Sequence, residues 1–169
     1  NSTFQGRPVE CWEGGADGPD KNNASRTGYY LLKYVDPELK LLQGQSAIHS
    51  WIIIRLGEIY LNYAEAMNEA YGPDAKGIYG KSAREAVNEV RGRVGMPDVV
   101  ADSKEEMREK IRHERRVELA FEDHRFWDVR RWMTAPDDLN APLKGVKVTR
   151  LSYNSFEYQS VEVESRSFK

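Results

Sequence analysis

At 169 residues the chain is long enough for one domain of ordinary size with its own apolar core. Its 25 basic and 27 acidic residues leave a formal net charge of -2, which excludes the Lys/Arg excess that a general nucleic-acid binder presents to phosphates. The longest purely apolar run, Trp51-Ile52-Ile53-Ile54, stops at Arg55, far short of the ~20 apolar residues of a membrane-spanning helix.

Asn1-Ser2-Thr3-Phe4-Gln5-Gly6 has no initiator Met and no charged-then-apolar leader, so the chain reads as a piece of a longer one. Cys11 is the single cysteine and has no internal partner to oxidise with. It follows Arg7-Pro8-Val9-Glu10 rather than an apolar stretch and small residues, so it reads as a free thiol and not a lipoprotein cysteine.

Residues 1–28 are rich in Gly, Asn, Asp, Ser and Pro, and predict a long loop. Gly28-Tyr29-Tyr30-Leu31-Leu32-Lys33-Tyr34-Val35 reads as a short strand, ended by Asp36-Pro37. The loop-rich segment with its strand is expected over 1–50, a helical core over 51–133 and an extended tail over 134–169, all in one domain.

From about Ile53 to Tyr71 the apolar period becomes helical, with Ile52, Leu56, Ile59, Tyr60, Tyr63, Ala64 and Met67 forming one stripe. Gly72-Pro73 ends that helix. A second is expected over Ser82–Arg93, with Ala83, Ala86, Val87, Val90 and Val94 inward and Gly95-Met96-Pro97 as its stop. Ser103-Lys104-Glu105-Glu106 is a capping-box sequence, which starts a third helix running to about Phe121. A fourth covers His124 to Met133, and Ala135-Pro136-Asp137-Asp138 stops it. Beyond Pro142 the β-branched and aromatic residues Val146, Val148, Leu151, Tyr153, Phe156, Tyr158, Val161 and Val163 predict an extended tail.

Leu56-Gly57 followed by Tyr60 fits the first half of a tetratricopeptide repeat, and Ala83 with Val87 and Pro97 fits the second. The connection between them is too long by roughly a dozen residues against the ~34-residue period. The fold class is therefore mainly α, with tetratricopeptide-like helix pairs, long loop insertions and a short extended C-terminal tail.

Arg55-Leu56-Gly57-Glu58-Ile59-Tyr60-Leu61-Asn62-Tyr63-Ala64-Glu65-Ala66 resembles the signature helix of the SusD/RagB outer-membrane family. The stretch from Ile111 to Trp132, with its His113-Glu114-Arg115-Arg116 and His124-Arg125-Phe126-Trp127-Asp128 runs, resembles the family's closing helices. Val90-Arg91-Gly92-Arg93-Val94-Gly95-Met96-Pro97 matches a shorter element between them, so three landmarks stand in order from Trp51 to Met133. Gly28-Tyr29, Lys33-Tyr34 and the stretch from Val161 to Lys169 resemble the family more loosely.

The resemblance implies a C-terminal portion of a lipid-anchored protein that faces outward from a Gram-negative outer membrane. There it would bind glycans or related nutrients above a TonB-dependent, SusC-like transporter, with no cofactor and no catalysis. The anchoring cysteine and N-terminal helices of the family are not in this sequence. The alternative is an interaction scaffold that docks the transporter while the ligand sits elsewhere.

Individual constellations are weighed on the same terms. His113-Glu114-Arg115-Arg116-Val117 lacks the second His of a zinc-protease helix, so no metal is expected. Glu114, Glu118 and Glu122 fall on one helix face, but no Glu-x-x-His pair accompanies them as in helical di-metal sites. Glu114, Arg115, Arg116, Glu118, Arg125 and Asp128 instead read as a structural ion-pair network between helices. Phe126 and Trp127 read as core residues of an amphipathic helix rather than a sugar platform. Trp12 stands in a polar, Gly-rich loop where no periodic pattern requires it, and is the first candidate for ligand contact; Trp51 is the second.

Overall fold

The computed structural model describes residues 2–22, 24–40 and 43–167. Asn1, Asn23, Leu41 and Leu42 of the expected loop region, and Phe168 and Lys169 of the expected tail, lie outside the described residues. The chain divides into two compact units, one of residues 50–128 and one of residues 1–49 with 129–169.

The first unit is built on helix α1 (Leu56–Tyr71), α2 (Ala83–Gly92) and α3 (Lys104–Glu118), and holds most of α4 (His124–Arg131). Ser82 caps α2 reciprocally: its hydroxyl accepts from the Glu85 amide at 3.2 Å, and the Glu85 carboxylate accepts from the Ser82 amide at 2.8 Å. Ser103 caps α3 by accepting from the Glu106 amide at 3.1 Å. Here the return arm differs from the expected box, because the Glu106 carboxylate takes the Asp102 amide at 3.0 Å. The chain leaves α1 through Gly72, whose amide donates back to the Asn68 carbonyl.

α1 packs against α2 and α3 through Leu61, Ala64, Met67, Ala86, Val87, Val90, Met107 and Ile111. Each such side chain withdrawn from water stabilises the unit by about 1.5–3 kcal/mol for a Val, Leu, Ile or Met. The predicted α1 stripe is only partly right. Ala64 and Met67 are buried and Tyr60 and Tyr63 pack at the margin, but Leu56 is 66% exposed, and Ile52 and Ile59 are exposed too. The buried positions centre instead on Leu61 and Asn68, because apolar residues fill a wide arc of α1 outside the Glu58, Asn62, Glu65 and Glu69 stripe, and only part of that arc is covered. Val94, expected inward, is exposed beyond the end of α2.

α3 stops at Glu118, and the segment to α4 places Phe121 and Asp123 at φ 63°, in the left-handed region. Such a conformation at a bulky residue costs about 1–3 kcal/mol and persists where the surroundings enforce it. Here it turns Glu122, between them, into the interior. On α4 the buried residues are Asp128 and Val129, whereas Phe126 and Trp127, expected as core, are exposed and pack edge-on against each other at 5.0 Å.

The second unit pairs loops with a hairpin. β3 (Leu143–Ser152) and β4 (Ser155–Glu164) run antiparallel, with Val148 opposite Tyr158 and Arg150 opposite Phe156. The extended tail is thus a closed pair of strands. A two-residue ribbon of β1 (Thr3–Phe4) and β2 (Arg7–Pro8) stands near the N-terminus. Gly28–Val35 forms no strand: among the described residues no segment pairs with it, and its Tyr29, Tyr30, Leu31 and Leu32 side chains stay exposed. Ala135–Asn140, expected as a stop, forms the short helix α5, since Pro136 in its first turn lacks only a donor that is unpaired there anyway.

Backbone contacts fasten the loops to the free side of β3. The Val146 amide donates to the Thr27 carbonyl at 2.8 Å, and the Glu13 amide donates to the Val148 carbonyl at 3.4 Å. Gly28 sits at φ 74° with no room for a β-carbon against Val146, and Gly145 is equally crowded by the Thr27 backbone. Two side-chain-free positions therefore let two backbones meet.

Candidate functional site

In the helical unit, arginines from α1 and α2 close on the acidic face of α3. Arg55, at the N-terminus of α1, donates to both Glu122 oxygens at 2.7 and 2.8 Å and to Glu118 Oε1 at 2.6 Å. It also donates to the Glu118 carbonyl at 2.7 Å. These bonds, to Glu122 first and Glu118 second, raise the Arg55 guanidinium above its ordinary range. Glu118 also accepts from Arg93 at 3.2 Å, and Glu114 from Arg91 at 2.6 Å.

Arg115 is 3% exposed and forks onto Asp128 at 3.0 and 3.1 Å, with its third arm on Asn62 Oδ1 at 2.5 Å. The planar guanidinium suits this two-pronged grip, and burial strengthens it. Arg116 is exposed and Arg125 is half-buried. Sequence reasoning saw the carboxylates of α3 but missed Arg55, Arg91 and Arg93, whose separation along the chain gives no local signal.

Carboxylates gripped in this way have their acceptor positions committed to arginine. His113, the one imidazole of the protease-like run, is exposed. Among the described residues no group of three or more His, Cys, Asp or Glu is arranged to hold a metal ion.

In the loop-and-hairpin unit a groove of about 610 Å³ opens between the N-terminal segment and the hairpin. Trp12, Tyr29, Tyr30, Val148, Phe156 and Tyr158 line it, together with Leu31, Leu32, Arg7 and Asp17. The Gly-rich stretch that forms one wall is a hydrogen-bonded knot. The Gly15 amide donates to the Trp12 carbonyl at 2.9 Å, Asp17 to the Glu10 carbonyl at 3.0 Å, and Gly18 to the Gly15 carbonyl at 3.1 Å.

Arg7 clasps Asp17 with both terminal nitrogens at 2.7 and 2.6 Å, and the Glu10 amide adds a third bond at 2.9 Å. The Arg7 hydrogen bond, then that amide, draws the Asp17 carboxyl down to about 2. The Tyr30 hydroxyl ties the same knot by donating to the Asp17 carbonyl at 2.7 Å.

Trp12 thus lies in the groove lining, its ring centroid 5.1 Å from that of Phe156 and 5.1 Å from the Arg150 guanidinium. Trp51 belongs to the other unit and stands 53% exposed beside Ile52, Ile53 and Ile54. Tyr29 and Tyr158, which carried no ligand role in the sequence reading, share the groove with Trp12; only the hairpin register brings Tyr158 there.

No helix among the described residues is long and apolar enough to cross a membrane. No curated protein matches the chain. It is similar to a SusD-like protein from Bacteroides fragilis NCTC 9343 of known crystal structure, with 39% sequence identity and a TM-score of 0.72. That likeness covers 90% of this chain and 28% of the other, so the chain spans under a third of that protein's length. The SusD family model matches residues 3–169, and with the helix-rich fold and the landmarks from Trp51 to Met133 this makes the chain a member of the SusD family.

Proposed function

We propose that this chain is the C-terminal portion of a non-catalytic, cell-surface nutrient receptor, and that its groove takes a glycan or a chemically related nutrient. The observation that carries the reading is the aromatic groove of the loop-and-hairpin unit, held on a SusD-family chain. Aromatic rings offer flat apolar faces to the C–H faces of pyranose rings, while polar groups at the edge meet hydroxyls. Trp12 belongs to that lining, with Arg7 and Asp17 as its charged edge.

Family membership supports the rest of the proposal. The parent protein sits at the outer membrane through an N-terminal lipid anchor beyond this chain, and passes its cargo to a TonB-dependent, SusC-like transporter. α1 and α2 act as a tetratricopeptide-like pair within a larger helical stack. The arginine-bound carboxylates Glu114, Glu118, Glu122 and Asp128 favour a bracing role over chemistry.

Calorimetric titration with soluble hexasaccharides of starch, cellulose, xylan and mannan tests the reading, with the longer parent protein run alongside. Saturable heat with one of them, and unchanged sugar by chromatography afterwards, is the expected result. Turnover of any of these sugars rules out the non-catalytic assignment.

One observation favours a second reading. Trp51, Ile52, Ile53, Ile54, Leu56 and Ile59 form an exposed apolar row, which suits a scaffold that docks other protein surface. Under that reading the sugars give no heat, and an extracellular fragment of the transporter binds instead.

A further inference from the structure

We infer that Trp12 is a positioning residue that pins the Gly-rich knot to the hairpin, and that Tyr29 and Tyr158 are the rings that meet the ligand. The inference rests on the groove being the ligand site, and divides its aromatic residues into two kinds.

The first kind is already engaged. Arg150 and Phe156 face each other across β3 and β4, so their side chains stand on the same side of the hairpin. Trp12 sits against both. The guanidinium lies over its ring at 5.1 Å, and the phenyl ring is tilted by 39° at the same centroid distance. A sugar stacking where Arg150 lies would have to displace a cation held by the ring's quadrupole.

The backbone around Trp12 is fixed as well. Its carbonyl takes the Gly15 amide, and the next residue, Glu13, donates to Val148 on β3 and approaches Lys147 at 3.6 Å. A β-carbon at Gly15 would strike the Glu10 and Trp12 carbonyls, so the knot closes tightly behind the indole. Tyr30 is of the same kind: its hydroxyl donates to Asp17 and accepts the Ser25 amide at 3.2 Å.

The second kind is open. Tyr29 is 65% exposed and Tyr158 is 68% exposed, both within the groove lining. Among the described residues neither side chain has a hydrogen-bond or ring partner. Each offers a flat face and a hydroxyl with a free donor and acceptor. Tyr158 is fixed by the strand register opposite the buried Val148, so its backbone is rigid while its ring is presented. The ligand this suits has a C–H face and a hydroxylated rim, which is the chemistry of a pyranose.

The test combines calorimetry against the same four hexasaccharides with amide hydrogen exchange on the full chain, free and with sugar. Tyr29→Ala and Tyr158→Ala should each weaken binding by about tenfold or more, with the Glu13 and Val146 amides as protected as in the parent chain. Trp12→Ala should speed exchange at Glu13 even without sugar, and Trp12→Phe should restore part of that protection. Loss of binding in Trp12→Ala with exchange unchanged would make Trp12 a contact residue and overturn the assignment. Parental affinity in both tyrosine variants would overturn it equally. If the parent chain takes up none of the four sugars, the ligand reading of the groove and the tyrosine platform fall together. The exchange data then still decide whether Trp12 is a pin.

Discussion

In the unit of residues 50–128, twelve apolar residues from Leu61 to Leu119 form one buried cluster. In the unit of residues 1–49 and 129–169, the buried apolar side chains among the described residues shrink to Val129, Ala135 and Val148. The helical unit is ordered by area withdrawn from water and by arginines that span its helices. The other unit is ordered by directed contacts: an Arg7–Asp17 clasp, two backbone bonds onto β3 and glycines where chains touch. Large rings stand on the surface of both units, but the groove lies in the one with little core. Stability and presentation are divided between the two.

The sharpest way to break this comparison is to remove one partner from the buried ion pair. Asp128→Ala leaves the Arg115 guanidinium buried without its carboxylate, and should cost about 3–5 kcal/mol in urea unfolding followed by helical circular dichroism. A cost near that of an exposed pair, under about 1 kcal/mol, would deny the brace its role. Met107→Ala comes next, at about 2–5 kcal/mol for a buried side chain lost from a packed cluster.

The loop unit should respond differently in kind. Gly28→Ala forces a β-carbon into a left-handed position against Val146, at about 1–3 kcal/mol of local strain. Hydrogen exchange should then quicken at Val146 and Glu13 while the helical unfolding transition stays in place. A shift of that transition as large as the Met107→Ala shift would contradict the division of labour.

The smallest effect concerns acid. Asp17 ionises at about 2 in the folded chain against an ordinary 3.8, so its contribution is fully present above the ordinary value and is lost as pH falls through about 2. Trp12 fluorescence should therefore hold steady at pH ~3, where a free aspartate is mostly protonated, and change only near pH ~2. In Asp17→Asn that low-pH step should vanish.

The sequence exposed these two regions unequally. Caps at Ser82 and Ser103 are local chemistry, so the starts of α2 and α3 were readable from a few residues. The buried face of α1 was not, because Leu56, Ile59 and Leu61 are equally apolar and only the neighbours α2 and α3 choose between them. Tyr29 to Leu32 have strand-forming side chains, but a strand exists only with a partner, and the described residues supply none. Pro136 looked like a stop when it opens a short helix. Trp12 stood out as an aromatic ring with no periodic role, whereas its neighbours Arg150 and Phe156 depend on a hairpin register that composition does not reveal. Arg55 reaches Glu118 and Glu122 across more than sixty positions of chain, as its hydrogen bonds at separations of 63 and 67 record.

We propose that ligand is met in the loop-and-hairpin groove and not on the helices. Backbone amide shifts of the full chain, followed by NMR as the four hexasaccharides are added in turn, test it most directly. With at least one of them, shift changes should gather at Tyr29, Val148 and Tyr158 and leave α1 to α3 unmoved. Changes confined to Trp51–Ile59, or no change with any of the four sugars, would contradict it.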